Sequence, residues 1–329
     1  MRDVVFSCDD GGARFLRVSV WSLLSRYRGK EPVRVNVLEG FGGHSAESKR
    51  QLAEVVSRFP GASVRYIDAE PAVRPYADLI MDRDGSRWNV FTWTPIFVPQ
   101  LLGDVSGNVA HFDIDMLFND DVSKILDTDL GENLIAAVAE YHRDGGVVES
   151  RIWGDGILPK EAERYFNTGT IVFNMEACRA ERTWERILEW YRGHYKIADR
   201  IEQDAWNALY WRRTLLLPPR WNFHDRLVKS FAKWDLAERF WLGNAPKECL
   251  EAALNPAILH FWGPKKPWNK CHRPYRKLYH AAMQAVGQTP PREPFLAPFY
   301  DFVNRRNISK LKKRLAFAED ICGGGESLQ

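Results

Sequence analysis

The chain has 329 residues, 45% of them hydrophobic and 27% charged, with a formal net charge of +3. That balance suits one large α/β domain with an appendage; it excludes a nucleic-acid binder held by bulk charge, and no apolar run reaches transmembrane length. Cys8, Cys178, Cys249, Cys271 and Cys322 are scattered without a C-x-x-C pair, which excludes a structural zinc cluster and reads as reduced thiols.

Met1-Arg2-Asp3 leads straight into Val4-Val5-Phe6, so no signal peptide is expected and a cytoplasmic location is. Val4-Val5-Phe6 predicts a first buried strand, closed by the acidic turn Ser7-Cys8-Asp9-Asp10-Gly11-Gly12. Phe15, Leu16, Val18, Val20, Leu23 and Leu24 then recur at helical spacing. Val33 to Leu38 predicts a second strand, Glu47 to Phe59 a helix, and Ser63 to Ile67 a third strand. Strands alternating with helices predict a mostly parallel central sheet with helices on its faces. Neither G-x-G-x-x-G nor a Walker pattern is present, so this is no ordinary dinucleotide or P-loop fold.

Asp68 to Arg87 is a polar, proline-containing excursion, and Val90 to Leu102 reads as mostly helical, interrupted by Pro95 and Pro99. Leu134 to Ala139 is a strand ending at Glu140, and Tyr141 to Glu163 is Gly-rich and predicts a mobile loop. Thr170 to Asn174 is a strand, Ala177 to Tyr191 a helix, and Glu202-Gln203-Asp204 opens another helix. Leu215 to Leu217 and Trp221 to Phe223 predict short extended pieces, and Ile258 to Gly263 a late strand followed by Pro264-Lys265-Lys266-Pro267-Trp268. The domain is read as 1–288 and a Pro-rich linker as 289–298. Residues 299–329 form a basic amphipathic tail, with Arg305, Arg306, Lys310, Lys312, Lys313 and Arg314 among Val303, Ile308, Leu311 and Leu315.

The central signal is His111-Phe112-Asp113-Ile114-Asp115, two carboxylates one residue apart at the end of a buried strand. On an extended backbone both would point the same way. Paired hard oxygen ligands suit Mg²⁺ or Mn²⁺. Alone, the triplet fits a polar strand end as well as a metal site, because Asp82/Asp84 and Asp127/Asp129 repeat it in loop sequence.

The opening Val4-Val5-Phe6-Ser7-Cys8-Asp9-Asp10, the Asp-Ile-Asp strand, Tyr165-Phe166-Asn167-Thr168-Gly169, Gln203-Asp204-Ala205-Trp206-Asn207 and His260-Phe261-Trp262-Gly263-Pro264-Lys265-Lys266-Pro267-Trp268 occur in that order. Together they resemble the family 8 retaining glycosyltransferases, the group of lipopolysaccharide galactosyl- and glucosyltransferases and of glycogenin. The resemblance implies a GT-A fold, a UDP-sugar donor, a saccharide or glycolipid acceptor, and Mn²⁺ or Mg²⁺ held by Asp113, Asp115 and His260. It implies that Asp9, with Asp10 beside it, binds uracil or ribose. Ile114 and Thr168 also join the donor-binding set, and Glu140 and Asn167 hold donor-sugar hydroxyls. It brings the Gly263 backbone and Lys266 to the diphosphate. Gln203 takes the position facing the anomeric carbon, and Glu202 stands where the family often has Asp; with Lys266 these form the catalytic set. An amide is a poor nucleophile, so attack by the acceptor hydroxyl on the donor's front face is preferred to a covalent intermediate.

Two departures stand out. Gly12 replaces a Tyr that stacks on uracil in the family, and Pro95 falls where the family tends to carry an Arg. Two other functions use the same carboxylates: a nucleotide-sugar-binding relative with little or no turnover, and a metal-dependent phosphohydrolase. The basic tail adds an anionic membrane surface as an expected partner, on the inner face of the membrane.

Overall fold

A computed structural model describes residues 1–40, 42–81, 90–140, 165–232, 246–269 and 273–323. Among them the chain forms a seven-stranded sheet, covered by helices on both faces, and a separate three-stranded sheet. The predicted mobile loop at 141–163 and the Asp82/Asp84 triplet lie outside the described residues.

The first half follows the expected alternation: β1 (Arg2–Ser7), α1 (Ala13–Arg26), β2 (Val33–Glu39), α2 (Ala46–Val56) and β3 (Ala62–Asp68). Then come β4 (Asn108–Phe112), β5 (Met116–Phe118), β6 (Ile135–Ala139) and β7 (Phe166–Asn174). The large sheet is completed by β8 (Thr214–Leu217), giving the order β3-β2-β1-β4-β7-β6-β8. Its pairings are parallel except those of β7, which runs antiparallel to β4 and to β6. Val4, Val5 and Phe6 are fully buried, as a central strand covered on both faces requires.

That topology creates the site. The order of strands reverses between β1 and β4, and in open α/β sheets ligands bind at the carboxyl ends of strands beside such a point. Phe6 pairs with Phe112, so the Asp9 turn and Asp113 leave the same edge of the sheet. Because β7 is reversed, its beginning also lies at this edge: Asn167 pairs with Val138, and Phe112 with Thr170. The register of β7 against β6 shifts between Ala137 and Val138, a bulge that swings Thr168-Gly169 out of the ladder.

Several elements depart from expectation. The Asp-Ile-Asp segment is not a continuous strand: Ile114 and Asp115 form a turn through which the chain leaves β4 and enters β5 in the small sheet. The single apolar run hid this, because both flanks are buried strands belonging to different sheets. The helix expected over 177–191 breaks into α3 (Met175–Glu181) and α4 (Thr183–His194) at Arg182, whose φ of 50° is left-handed. Pro95 and Pro99 cut the 90–102 stretch into single turns, Thr94–Phe97 and Val98–Leu101 among them, since each proline removes a helical donor. Pro219–Asn222 is a 3₁₀ turn rather than an extended piece, and β9 (Phe223–His224) follows it.

The small sheet has the order β5-β10-β9, with β10 (Ile258–His260) in its middle. Its apolar layer includes Phe223, Leu259 and Phe261, with side chains of α6 (Leu227–Phe231), α7 (Pro246–Leu254), α8 (Arg276–Ala285) and α9 (Ala297–Gly323). Leu311 of α9 is fully buried there, with Ile308 and Leu315 partly buried around it. Ile308, Leu311 and Leu315, expected on the apolar side of the tail, therefore pack on the protein itself. The preceding segment is also tied down, because Arg276, nearly fully buried, pairs with Glu293 and Asp301.

Candidate active site

Helix α1 fixes the Asp-Ile-Asp turn. The buried Ser19 Oγ lies 2.6 Å from the Ile114 carbonyl and 2.8 Å from that of Met116, within donating reach of both. Phe118 N donates to Ser22 Oγ at 3.0 Å. From the other side, His260 pairs with Met116 across the small sheet, and Phe261 N donates to the Asp115 carbonyl. These contacts bring His260 Nε2 to 3.2 Å from Asp115 Oδ1 and 3.5 Å from Asp113 Oδ2.

One ligand atom from each of Asp113, Asp115 and His260 lies within 4.8 Å of the other two. Two carboxylate oxygens and an imidazole nitrogen form a donor set that fits Mn²⁺ or Mg²⁺. Burial works against the charge of Asp115, but the Lys266 ammonium and His260 hold its carboxyl well below the ordinary range. Burial and the charge of Asp115 push Asp113 upward, although His260 opposes them. The two carboxylates thus divide their charge unequally, as closely placed acids do. Lys266 Nζ donates to Asp115 and to the Phe261 carbonyl, so the cation assigned to the diphosphate starts on the metal side of the site.

Gly169 closes the floor. A Cβ there would sit 2.6 Å from His260 Cε1, 2.8 Å from Asp113 Oδ2 and 2.9 Å from Asn167 Oδ1. Only glycine lets the β7 bulge pass behind the three ligands. Gly263, at φ +87°, needs glycine for its backbone.

Beside the ligands lies a polar network. Asn167 Nδ2 donates to Gln203 Oε1 at 3.0 Å and to Glu140 Oε2 at 3.3 Å, and Gln203 Nε2 donates to Glu140 Oε2 at 2.7 Å. Gln203 Oε1 also accepts from the Thr168 backbone N–H. Glu202 Oε1 accepts from the Thr168 hydroxyl, while its buried Oε2 has no partner among the described residues. Burial raises the Glu202 carboxyl well above the usual range. Glu202 and Gln203 open α5 (Ile201–Tyr210) directly after Ile201, whose φ of 44° is costly for a β-branched residue and marks local strain.

At the other end of the edge, Asp9 Oδ1 accepts from Gly12 N at 2.7 Å and caps the 3₁₀ turn Asp10–Gly12. The Asp10 carboxylate accepts from Ser45 N and Oγ at the start of α2. Gly12 is buried, and a Cβ on it would meet Cys8 Cβ at 2.8 Å and Ile114 Cδ1 at 2.9 Å. No aromatic ring could leave from that position in this backbone. Pro95 is buried in its 3₁₀ turn.

Three participants were not legible in the sequence. Arg200 donates to Glu140; burial works against the guanidinium charge, and Glu140 more than offsets it. Tyr165 donates to Asp204 at 2.6 Å behind Gln203. Asn222 links His260 Nδ1 to Asn167 Oδ1. Tyr165 and Asp204 stood in quoted motifs with no role attached.

Sheet order, acidic turn and bulged antiparallel strand make this a GT-A-type architecture. A galactosyltransferase LgtC structure, in complex with donor and acceptor sugar analogs, superposes with a TM-score of 0.71 at 24% identity, over 88% of this chain and 97% of that one. The bifunctional glycosyltransferase WbbM superposes with a TM-score of 0.69 at 23% identity, over 91% of this chain and 51% of that one. The sequence model of glycosyl transferase family 8 matches residues 3–272, and the chain belongs to that family. General stress protein A of Bacillus subtilis (strain 168) is 27% identical over 280 residues, 84% of this chain and 91% of that protein. Probable galacturonosyltransferase-like 3 of Arabidopsis thaliana is 25% identical over 183 residues, 53% of this chain and 48% of that protein.

Proposed function

We propose that the protein moves a hexose, galactose or glucose, from a UDP-sugar to a saccharide or lipid-linked saccharide with retention at the anomeric carbon, as in lipopolysaccharide assembly. The observation that carries this reading is the convergence of Asp113, Asp115 and His260 within 4.8 Å of one another at the carboxyl edge of the sheet. These three residues would hold Mn²⁺ or Mg²⁺, which when bound neutralises charge on a diphosphate leaving group. Lys266 adds a second positive charge, moving from Asp115 to the phosphates as charge develops there. Glu140 and Asn167 present polar atoms to the donor sugar. Gln203 Oε1 already accepts from Asn167 Nδ2 and Thr168 N, which lowers its electron density and argues against its acting as a nucleophile. Front-face attack by the acceptor hydroxyl, with the leaving phosphate taking the proton, fits that arrangement.

The test is incubation with a panel of UDP-sugars and Mn²⁺ without acceptor. Slow UDP release is expected. Binding without release would instead favour a relative that has lost turnover, and release from unrelated phosphate esters a phosphohydrolase.

Lys266→Met is expected to lower kcat by about 10²–10³-fold, the usual loss for one transition-state charge partner, with a smaller change in donor KM. Steady-state kinetics with varied donor check this; an unchanged kcat would remove the role from Lys266.

We also place the protein in the cytoplasm, on the inner face of an anionic membrane. No helix among the described residues is long and apolar enough to cross one. Phe295 is 97% exposed, and Leu296, Phe299 and Phe302 also face solvent beside the exposed cations Arg305, Arg306 and Lys310. Aromatic rings with neighbouring cations suit an anionic lipid surface. Full-length protein is expected to co-sediment with phosphatidylserine vesicles, less so as salt rises. Replacing Phe295, Phe299 and Phe302 by Ser should remove most of that binding while sparing the fold, since all three are exposed. Undiminished sedimentation of the triple variant would refute the lipid contact.

A further inference from the structure

The hydrogen bonds behind the metal ligands permit one arrangement of side-chain amides. The backbone N–H of Gly169 donates to the Asn167 amide at 2.9 Å, so the atom facing it must be the oxygen, Oδ1. The Asn222 amide also meets Asn167 Oδ1, at 2.8 Å. Two oxygens there would repel, so Asn222 must offer its nitrogen. Its Oδ1 then faces His260 Nδ1 at 2.8 Å. An acceptor at that distance requires a proton on Nδ1. Nε2 is thereby the nitrogen left toward Asp113 and Asp115, where a cation would meet it. A second backbone donor, Thr168 N on Gln203 Oε1, fixes the other side of Asn167, whose Nδ2 must donate to Gln203 Oε1 and Glu140 Oε2.

We propose that Asn222 is a positioning residue, which relays the orientation set by the Gly169 backbone N–H to His260, fixing the imidazole proton on Nδ1 and directing Nε2 to the cation. The inference rests on the metal reading above. One amide at position 222 serves both neighbours, its nitrogen meeting Asn167 Oδ1 and its oxygen His260 Nδ1. It also ties the metal ligands to the donor-sugar network, since one Asn167 amide serves both.

Outer hydrogen-bond partners of a metal-ligating His commonly change metal affinity by about 10–100-fold. Asn222→Ala is therefore expected to weaken Mn²⁺ binding to the full chain by about that factor, measured by the EPR signal of free Mn²⁺. Asn222→Asp gives up the donor to Asn167 Oδ1 but keeps an acceptor for Nδ1, and should lose less affinity than Asn222→Ala. In metal-free protein carrying ¹⁵N-labelled histidine, the parent and Asn222→Asp should show a protected Nδ1–H of His260. His260→Gln assigns that signal, and Asn222→Ala should lose it. Parental Mn²⁺ affinity in a folded Asn222→Ala overturns the proposal, as does a parent ring protonated at Nε2 alone. If Asn222→Ala does not fold, loss of Mn²⁺ binding or of the Nδ1–H in folded Asn222→Asp overturns it. A parent that takes up no Mn²⁺ overturns the metal reading alone, and the Nδ1–H signal then decides the relay by itself.

Discussion

Asp113→Asn and Asp115→Asn are each expected to abolish Mn²⁺-dependent donor binding and turnover. Each change removes one of three ligand atoms and an anionic charge while keeping the shape of the side chain. The loss should exceed the roughly 10–100-fold that a missing outer partner causes. The two variants should differ when metal is absent. Asp115 carries the charge paired with Lys266, so Asp115→Asn removes that ion pair, whereas Asp113→Asn leaves it intact. The parent should also bind Mn²⁺ more weakly as pH falls. Burial and the Asp115 charge raise the Asp113 carboxyl above its ordinary value, so it takes up a proton at a higher pH than a free Asp. A proton there competes with the cation, and affinity should drop about tenfold per pH unit once that proton is bound. Isothermal titration with Mn²⁺ across the acid range measures both effects. Full metal-dependent turnover in either Asn variant would show that the cation is held elsewhere.

Gly169→Ala should be nearly as damaging, although position 169 carries no functional side chain. The added methyl would lie 2.6 Å from His260 Cε1 and 2.8 Å from Asp113 Oδ2, closer than carbon atoms tolerate. His260 cannot retreat easily, because Asn222 holds Nδ1 and Met116 holds its strand. Asp113 N is bonded to the Gly169 carbonyl, so the bulge and the acidic turn must shift together. Overpacking of this kind costs about 1–3 kcal/mol of stability. A displacement of about 1 Å at reacting groups can lower rate by about 10²-fold. Thermal unfolding should therefore show a modest loss, and Mn²⁺ titration and kinetics a severe one. A variant that keeps both metal affinity and turnover would mean that the β7 bulge does not support the ligands as described.

The sequence by itself determined the alternation of buried strands and amphipathic helices, and with it the class of fold. Val4-Val5-Phe6 is apolar without interruption because both faces of that strand are covered, Val33, Val35, Val37 and Leu38 mark a second strand, and α1 shows its apolar stripe at helical spacing. Asp113 and Asp115 stood out as paired carboxylates at a strand end, His260 was named through the family resemblance, and the structure brings the three together. What only the tertiary structure decided depends on pairings between distant segments. Met116 to Phe118 looks like a continuation of β4, yet it belongs to a different sheet, since backbone partners cannot be read from one strand's own pattern. The Leu311 side of α9 could equally have met lipid or protein; its burial beside Phe231 and Leu250 follows from the apolar surface that α6 and α7 leave open to it. Asn222 and Arg200 carry no local signature, for a polar residue in a turn has the same sequence pattern whether it faces water or a ligand. Their partners, His260, Asn167 and Glu140, are 38, 55 and 60 residues away. A side chain's hydrogen-bond role is set by the atoms opposite it, and folding alone brings those atoms together.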